Sequence, residues 1–405
     1  MMKSITILTL MLLSLIACKK DNLKANFKSK VSGNSVSSVS SLQNLNISKD
    51  EIGVIELPAS VSQGIRSTFK YYTKVVAPNG KPIHILAQGN WTKEKVAYTR
   101  TIMEHYLNNV PSILYGNKDA VTNAIADAHG AMTMFNGAND AKNNSSGVNG
   151  QDLQATETVA VGSPEYLDLS VRNAAFEEIL HFVHDLGLTP VYPEFQKELE
   201  AATVYAMDNQ IFTPWGSLPV ADYDNELLAA YNDAYWGNLE QKKELNTAYL
   251  FLSRNAAESG DVLSSALMTK LLPNYITSTV LISSSFNGTF FLKKDPTLVY
   301  TSQSQYYKDV KLLGTNNSNL FGNSMDNYMI GNTGNNEIKG AEGNDVLDGG
   351  EGFEDVAIFI GQSSEYSIST IGAESTIVDR KTNRDGTDKL KNIEFIQFSD
   401  QRVSL

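Results

Sequence analysis

The chain has 405 residues, 42% of them hydrophobic, and 33 basic against 45 acidic side chains give a net charge of −12. That length supports one sizeable core plus smaller modules; the acidic balance argues against a nucleic-acid partner and suits a protein that meets divalent cations. Cys18 is the sole cysteine, which excludes intramolecular disulfides, thiolate zinc clusters and a cysteine nucleophile in the folded part.

Lys3 precedes a short apolar run from Ile5 to Ile16, which closes on Leu15-Ile16-Ala17-Cys18. A dozen apolar residues is too short to span a bilayer and reads as an export signal, residues 1–17. The L-I-A-C ending resembles the lipobox of bacterial lipoproteins. The resemblance implies lipidation of Cys18 and a membrane-anchored protein of the bacterial cell envelope, in the outer membrane and exposed at the cell surface. The following stretch is Ser-, Asn- and Val-rich between Ser29 and Ser48, so residues 18–49 are expected to form a flexible tether.

From 50 to 312 the composition is that of an α+β domain. Pro82–Leu86 reads as a strand. Lys93–Val110 has helical spacing of Val96, Met103, Tyr106 and Leu107, with Thr92 as N-cap. Ala131–Phe135 and Thr156–Val161 read as strands. The Gly/Asn/Ser-rich run between them, Asn136–Gln154, is long enough to be a mobile loop over a site. Helices are expected from Ala174 to Asp185 with Asn173 as cap, from Pro193 to Ile211, and from Glu226 to Lys243. After Asn274 the pattern is β-rich, with Asn287-Gly288 as a hairpin signal.

The first of those helices carries F-E-E-I-L-H-F-V-H-D-L-G (176–187) and holds two of the chain's five histidines. Glu177, His181 and His184 stand at i, i+4 and i+7 on one helical face, with Glu178 beside them. The pattern resembles the zinc helix H-E-x-x-H of metallopeptidases, with Glu177 in place of the first histidine. In gluzincins a further glutamate eighteen or nineteen residues after the last histidine completes the site, and Glu200 stands nineteen residues after His181 by sequence position. The resemblance implies a zincin-like domain with Glu177, His181 and Glu200 as zinc ligands, Glu178 as general base, and His184 as an alternative ligand or a stabiliser of the transition state. It also implies a peptide or protein substrate. The residues by themselves allow a plainer account, in which the two glutamates answer the helix dipole and the histidines are structural. A carboxylate in the first ligand position also weakens the Lewis acidity that hydrolysis needs, so a noncatalytic binding domain on a degenerate peptidase fold competes with the enzyme.

Residues 313–357 differ in kind. Glycines at 322, 331, 340 and 349 begin four nine-residue units in which an apolar residue recurs at the eighth position: Met329, Ile338, Leu347 and Val356. The period resembles the hemolysin-type (RTX) nonapeptide G-G-x-G-x-D-x-U-x, which implies a parallel β-roll with calcium between stacked turns. The sixth positions are Asn327, Asn336, Asp345 and Glu354, so the expected ligand ladder is half amide and Asp345 is its only aspartate. An ion-free roll stacked through its Asn rows is the alternative. Residues 358–405 end in D-G-x-D-x-L-x-x-I-E-x-x-x-F, similar to the β-module found after such repeats, and are expected to cap the roll's open edge. The layout also resembles bacterial calcium-repeat proteins whose N-terminal domain carries E-E-I-L-H-x-V-H-D. That family brings no substrate with it.

Overall fold

The computed structural model describes residues 33–240 and 248–405. The export signal and Cys18 lie outside the described residues. Among those described, no helix is long and apolar enough to cross a membrane.

The N-terminal half is built on one five-stranded sheet in the order β1 (Ile55–Glu56), β2 (Tyr71–Val76), β3 (Pro82–Ala87), β4 (Ala131–Phe135) and β5 (Gln151–Gln154). The first three strands pair antiparallel, and β3-β4 and β4-β5 are parallel. Alternation along β3 sends Ile83 and Ile85 to one face and Leu86 to the other, as strand geometry requires. The first face carries the helix Lys93–Leu107, whose start is fixed by Thr92 Oγ1 accepting from Lys95 N.

Part of the expected tether lies on the second face. Val39 and Leu42 are fully buried there against Ile65, Phe69, Tyr72 and Phe135. Two apolar side chains in a polar stretch are enough to dock it, so residues 33–49 belong to the folded unit. The expected strand at 156–161 is also corrected. Glu157 N donates to Gln154 O, and Glu157 Oε2 accepts from Gln154 N, closing a turn where that strand should begin. The strand falls earlier, at β5.

The motif helix spans Ala175–Val183 and packs on the Lys93–Leu107 helix, on a helix at Tyr223–Tyr235, and on β5. Asn173 does not cap it: its side chain joins Val159 N and Tyr98 Oη instead. The chain continues through a π-helical turn, His184–Leu188, into Thr189–Val191 and then the helix Pro193–Asp208. Gly187 lies in that turn, where a Cβ would sit 2.6 Å from Val121 and 2.9 Å from Ile125. Only glycine lets the neighbouring Asp119–Asp127 helix pack so closely.

The C-terminal half is a roll of two facing sheets that the chain visits alternately. One has the order β14 (Tyr366–Ile371), β15 (Glu374–Asp379), β16 (Thr387–Lys391), β12 (Val346–Asp348), β10 (Tyr328–Ile330), β8 (Asp309–Leu312) and β6 (Val280–Ile282). The other has β18 (Arg402–Ser404), β17 (Phe395–Gln397), β13 (Val356–Ile358), β11 (Glu337–Lys339), β9 (Asn319–Phe321) and β7 (Thr289–Phe291). From β6 to β17 the roll strands pair in parallel, and the β14-β15 hairpin and β18 add antiparallel edges. Met329, Ile338 and Leu347 fill the interior as their spacing predicts.

Both expected boundaries of the roll move. Its parallel ladder starts at Val280 rather than at 313, so Asn287-Gly288 turns the chain from one sheet to the other instead of closing a hairpin. It also runs past 357 into β16 and β17. The same hydrophobic core runs without a break from Val54 to Phe398. The two halves share one interior because the roll's first coils pack directly on the helical layer.

Candidate metal centre

Helix geometry brings Glu177 and His181 together one turn apart, and the Tyr223–Tyr235 helix adds Glu226. One potential ligand atom from each of the three lies within 4.8 Å of the others, the only such acidic or histidine group of three among the described residues. Carboxylate and imidazole are donor types that zinc or a similar first-row divalent ion takes. His181 is buried, while Glu177 and Glu226 are half-buried. Glu226 is the partner that sequence reasoning missed. It lies 45 residues after His181, and no spacing rule links two helices that meet only through tertiary packing.

Glu200 is not in this group. On the Pro193–Asp208 helix it shares a face with Gln196, whose Nε2 donates to Glu200 Oε1 at 3.3 Å and to Asp224 Oδ2. That face meets the motif helix at His184, about one turn beyond His181. The gluzincin spacing thus leads to a helix whose glutamate stands outside the group, and the third member comes from the Tyr223–Tyr235 helix instead. His184 is engaged as well: its Nδ1 and Nε2 each lie 2.8 Å from an amide oxygen, of Asn225 and Gln196. With both nitrogens turned to amides, it pins the helices together and stands outside the metal group.

Glu178 lies beside the group. Its Oε2 accepts from Gln151 Nε2 of β5 at 2.5 Å and stands 4.0 Å from His181 Nδ1. Burial, followed by the negative charge of Glu177, pushes its carboxyl up to about 8. Burial raises Glu177 too, opposed by the guanidinium of Arg172. Arg172 is a second component that spacing does not reveal. It pairs with Glu177 through Nη2 and with the buried Asp233 through Nη1 at 2.6 Å. Asn238 supports Asp233 from the other side at 3.1 Å.

The sixth-position residues of the roll fall into two sets. Asn327 Oδ1 accepts from Asn323 N within its own turn, and its Nδ2 donates to Lys308 O of the turn before. Asn336 repeats this with Asn332 N and Ser318 O. Asp345 is buried, and burial pushes its carboxyl up to about 7. Glu354, expected next, is exposed. Its place is taken by fully buried Asp355, because the fourth unit contains one extra residue. Ala357 accordingly pairs opposite Ile338 and supplies the interior side chain expected of Val356. The extra residue keeps the glycines in phase and displaces only the positions after it, so the glycine count hides it.

Residues 321–353 match the RTX calcium-binding nonapeptide repeat, in four copies. The chain therefore carries RTX calcium-binding repeats, and the mixed α/β half precedes them. No curated protein matches the chain.

Proposed function

We propose that this is an envelope-anchored, calcium-binding surface protein whose α/β half holds a zinc-like ion between Glu177, His181 and Glu226, in a zincin-like arrangement that hydrolyses peptides. The convergence of those three side chains, one of them from a helix remote in sequence, carries the reading. A bound zinc ion would supply Lewis acidity at the group. Glu178 would accept the proton of the attacking water: it is positioned by Gln151, and a nearby cation favours its carboxylate over the neutral form that burial favours. Gln151 lies near the end of the polar run expected to cover a site, so that part of the run reaches Glu178.

The Arg172 ion pair supports a second reading. A guanidinium on Glu177 competes with a metal for that carboxylate, as it would in a noncatalytic binding domain on the same scaffold. Metal analysis of the purified chain decides between them. One equivalent of zinc, lost in His181→Ala and kept in Glu178→Gln along with loss of peptide hydrolysis, is expected of the enzyme. Calcium alone would leave the binding protein. Anchoring is tested separately: Cys18→Ser should move the protein out of the membrane fraction, and unchanged partitioning would refute the lipid anchor.

A further inference from the structure

The segment after the matched repeats completes the roll's last turns. β16 pairs in parallel with β12, and β17 with β13. On one edge Asp388 thus stacks on Asp345, whose backbone N–H it accepts through Oδ1 at 2.9 Å. On the other edge Glu394 stacks on Asp355 and accepts its N–H through Oε2 at 2.8 Å. Asp388 and Asp345 are each 1% exposed and Asp355 is 0% exposed.

The Asn and Asp turns bond differently. Asn327 and Asn336 satisfy both ends of their amides within the protein, accepting in their own loop and donating to the carbonyl of the turn before. Asp345 and Asp355 each reach back with Oδ1 to a backbone N–H of the preceding turn, Asn327 and Asn336 respectively, at 2.7 Å. In both, Oδ2 is buried and has no hydrogen-bond partner. A carboxylate oxygen has no proton to give, and stranding a buried one without a partner is costly. The second acid stacked beside each makes it worse.

Resting on the calcium reading above, we infer that the roll's calcium sits at two seams, Asp345 with Asp388 on one edge and Asp355 with Glu394 on the other, and joins the repeats to the C-terminal segment instead of joining repeat to repeat. Calcium takes six to eight oxygens, mixing carboxylates with backbone carbonyls. At the Asp355 seam both kinds come together: a Cβ on Gly352 would lie 2.5 Å from Asp355 Oδ2 and 2.5 Å from Gly334 O. The amide turns at 327 and 336 have no stranded oxygen to offer an ion and stack without one. Three of the four acids, Asp355, Asp388 and Glu394, lie beyond the matched segment 321–353, so calcium acts as the clasp of the C-terminal module.

The test is calorimetric titration of the full-length protein with calcium chloride after chelation, combined with limited proteolysis of the C-terminal hairpin. Two equivalents are expected, with hairpin protection that depends on calcium. Asp345→Asn with Asp388→Asn should remove one equivalent, and Asp355→Asn with Glu394→Gln the other. Each introduces the amide the roll already uses at 327 and 336, so folding should persist. Asn327→Ala and Asn336→Ala should leave both equivalents. Full calcium binding in the seam variants, or loss in the Asn variants, would overturn the seam assignment alone. No calcium binding by the wild-type chain would overturn the calcium reading itself.

Discussion

Asp345 donates its backbone N–H to Asp388 across 43 residues of sequence, and the two buried carboxyls stack in consecutive turns of the roll. Burial and the charge of Asp345 push Asp388 up to about 9. Two acids held this way have a use in a protein that neutralises them, and the contact closes the roll onto its C-terminal segment.

The fourth repeat's extra residue gives the sharpest local test. Asp355→Ala should reduce calcium binding on its edge, whereas Glu354→Ala, at an exposed position, should leave the titration unchanged. The reverse pattern would mean that the strict nine-residue count, and not the observed register, describes the fourth turn.

Glycine substitutions separate loop strain from seam closure. Gly372 has φ +64° and open space around it, so Gly372→Ala should cost about 1–2 kcal/mol. Gly386 has φ +71°, and a Cβ would collide with Gly343 O. Gly386→Ala should therefore cost about 3 kcal/mol or more, with loss of hairpin protection in proteolysis. Similar melting temperatures for the two variants would show that the seam tolerates separation.

In the α/β half, metal affinity should depend on tertiary contact and not on motif spacing. Glu226→Ala and His181→Ala should each lower zinc affinity by roughly a hundredfold or more, since even groups behind the ligands are worth ~10–100-fold. Glu200→Ala should change it little. Competition with a chromogenic chelator measures all three, and a large loss in Glu200→Ala would restore the gluzincin ligand set.

Arg172 also has a structural role. Removing its guanidinium leaves Asp233, with a side chain only 1% exposed, buried beside Glu177 without its cation. Arg172→Met should cost about 3–5 kcal/mol in chemical denaturation. A loss below about 1 kcal/mol would show that Asp233 takes a proton or another partner at little cost.

Two histidines set an acid limit for the same half. Burial lowers His84 to about 4 and His105 to about 3, against an unfolded value near 6.5. Below pH 6.5 the unfolded chain gains protons that the folded chain refuses, so this stability is complete above 6.5 and declines as pH falls towards 4. His105 Nδ1 accepts from Thr277 N at 3.1 Å, an acceptor role that Gln can supply. His105→Gln should flatten the pH dependence of melting between 6.5 and 4. An unchanged slope would assign the acid sensitivity to other groups.

Patterns that repeat over short distances were legible from sequence alone. The nine-residue glycine period gives the roll and its interior row of Met329, Ile338 and Leu347, because each turn repeats one local geometry. The i, i+4 spacing likewise places Glu177 and His181 on one face, since a helix fixes that angle whatever surrounds it. Contacts between elements were decided by tertiary structure. Glu226 replaces Glu200 beside His181, because packing sets which helix meets the motif helix at that point. Val39 and Leu42 draw an apparent tether into the core, and Asp388 finds Asp345 only once the hairpin is looped out. Local dihedral preferences act over a few residues and can be read along the chain, whereas the burial that joins distant segments is a property of the whole packed interior.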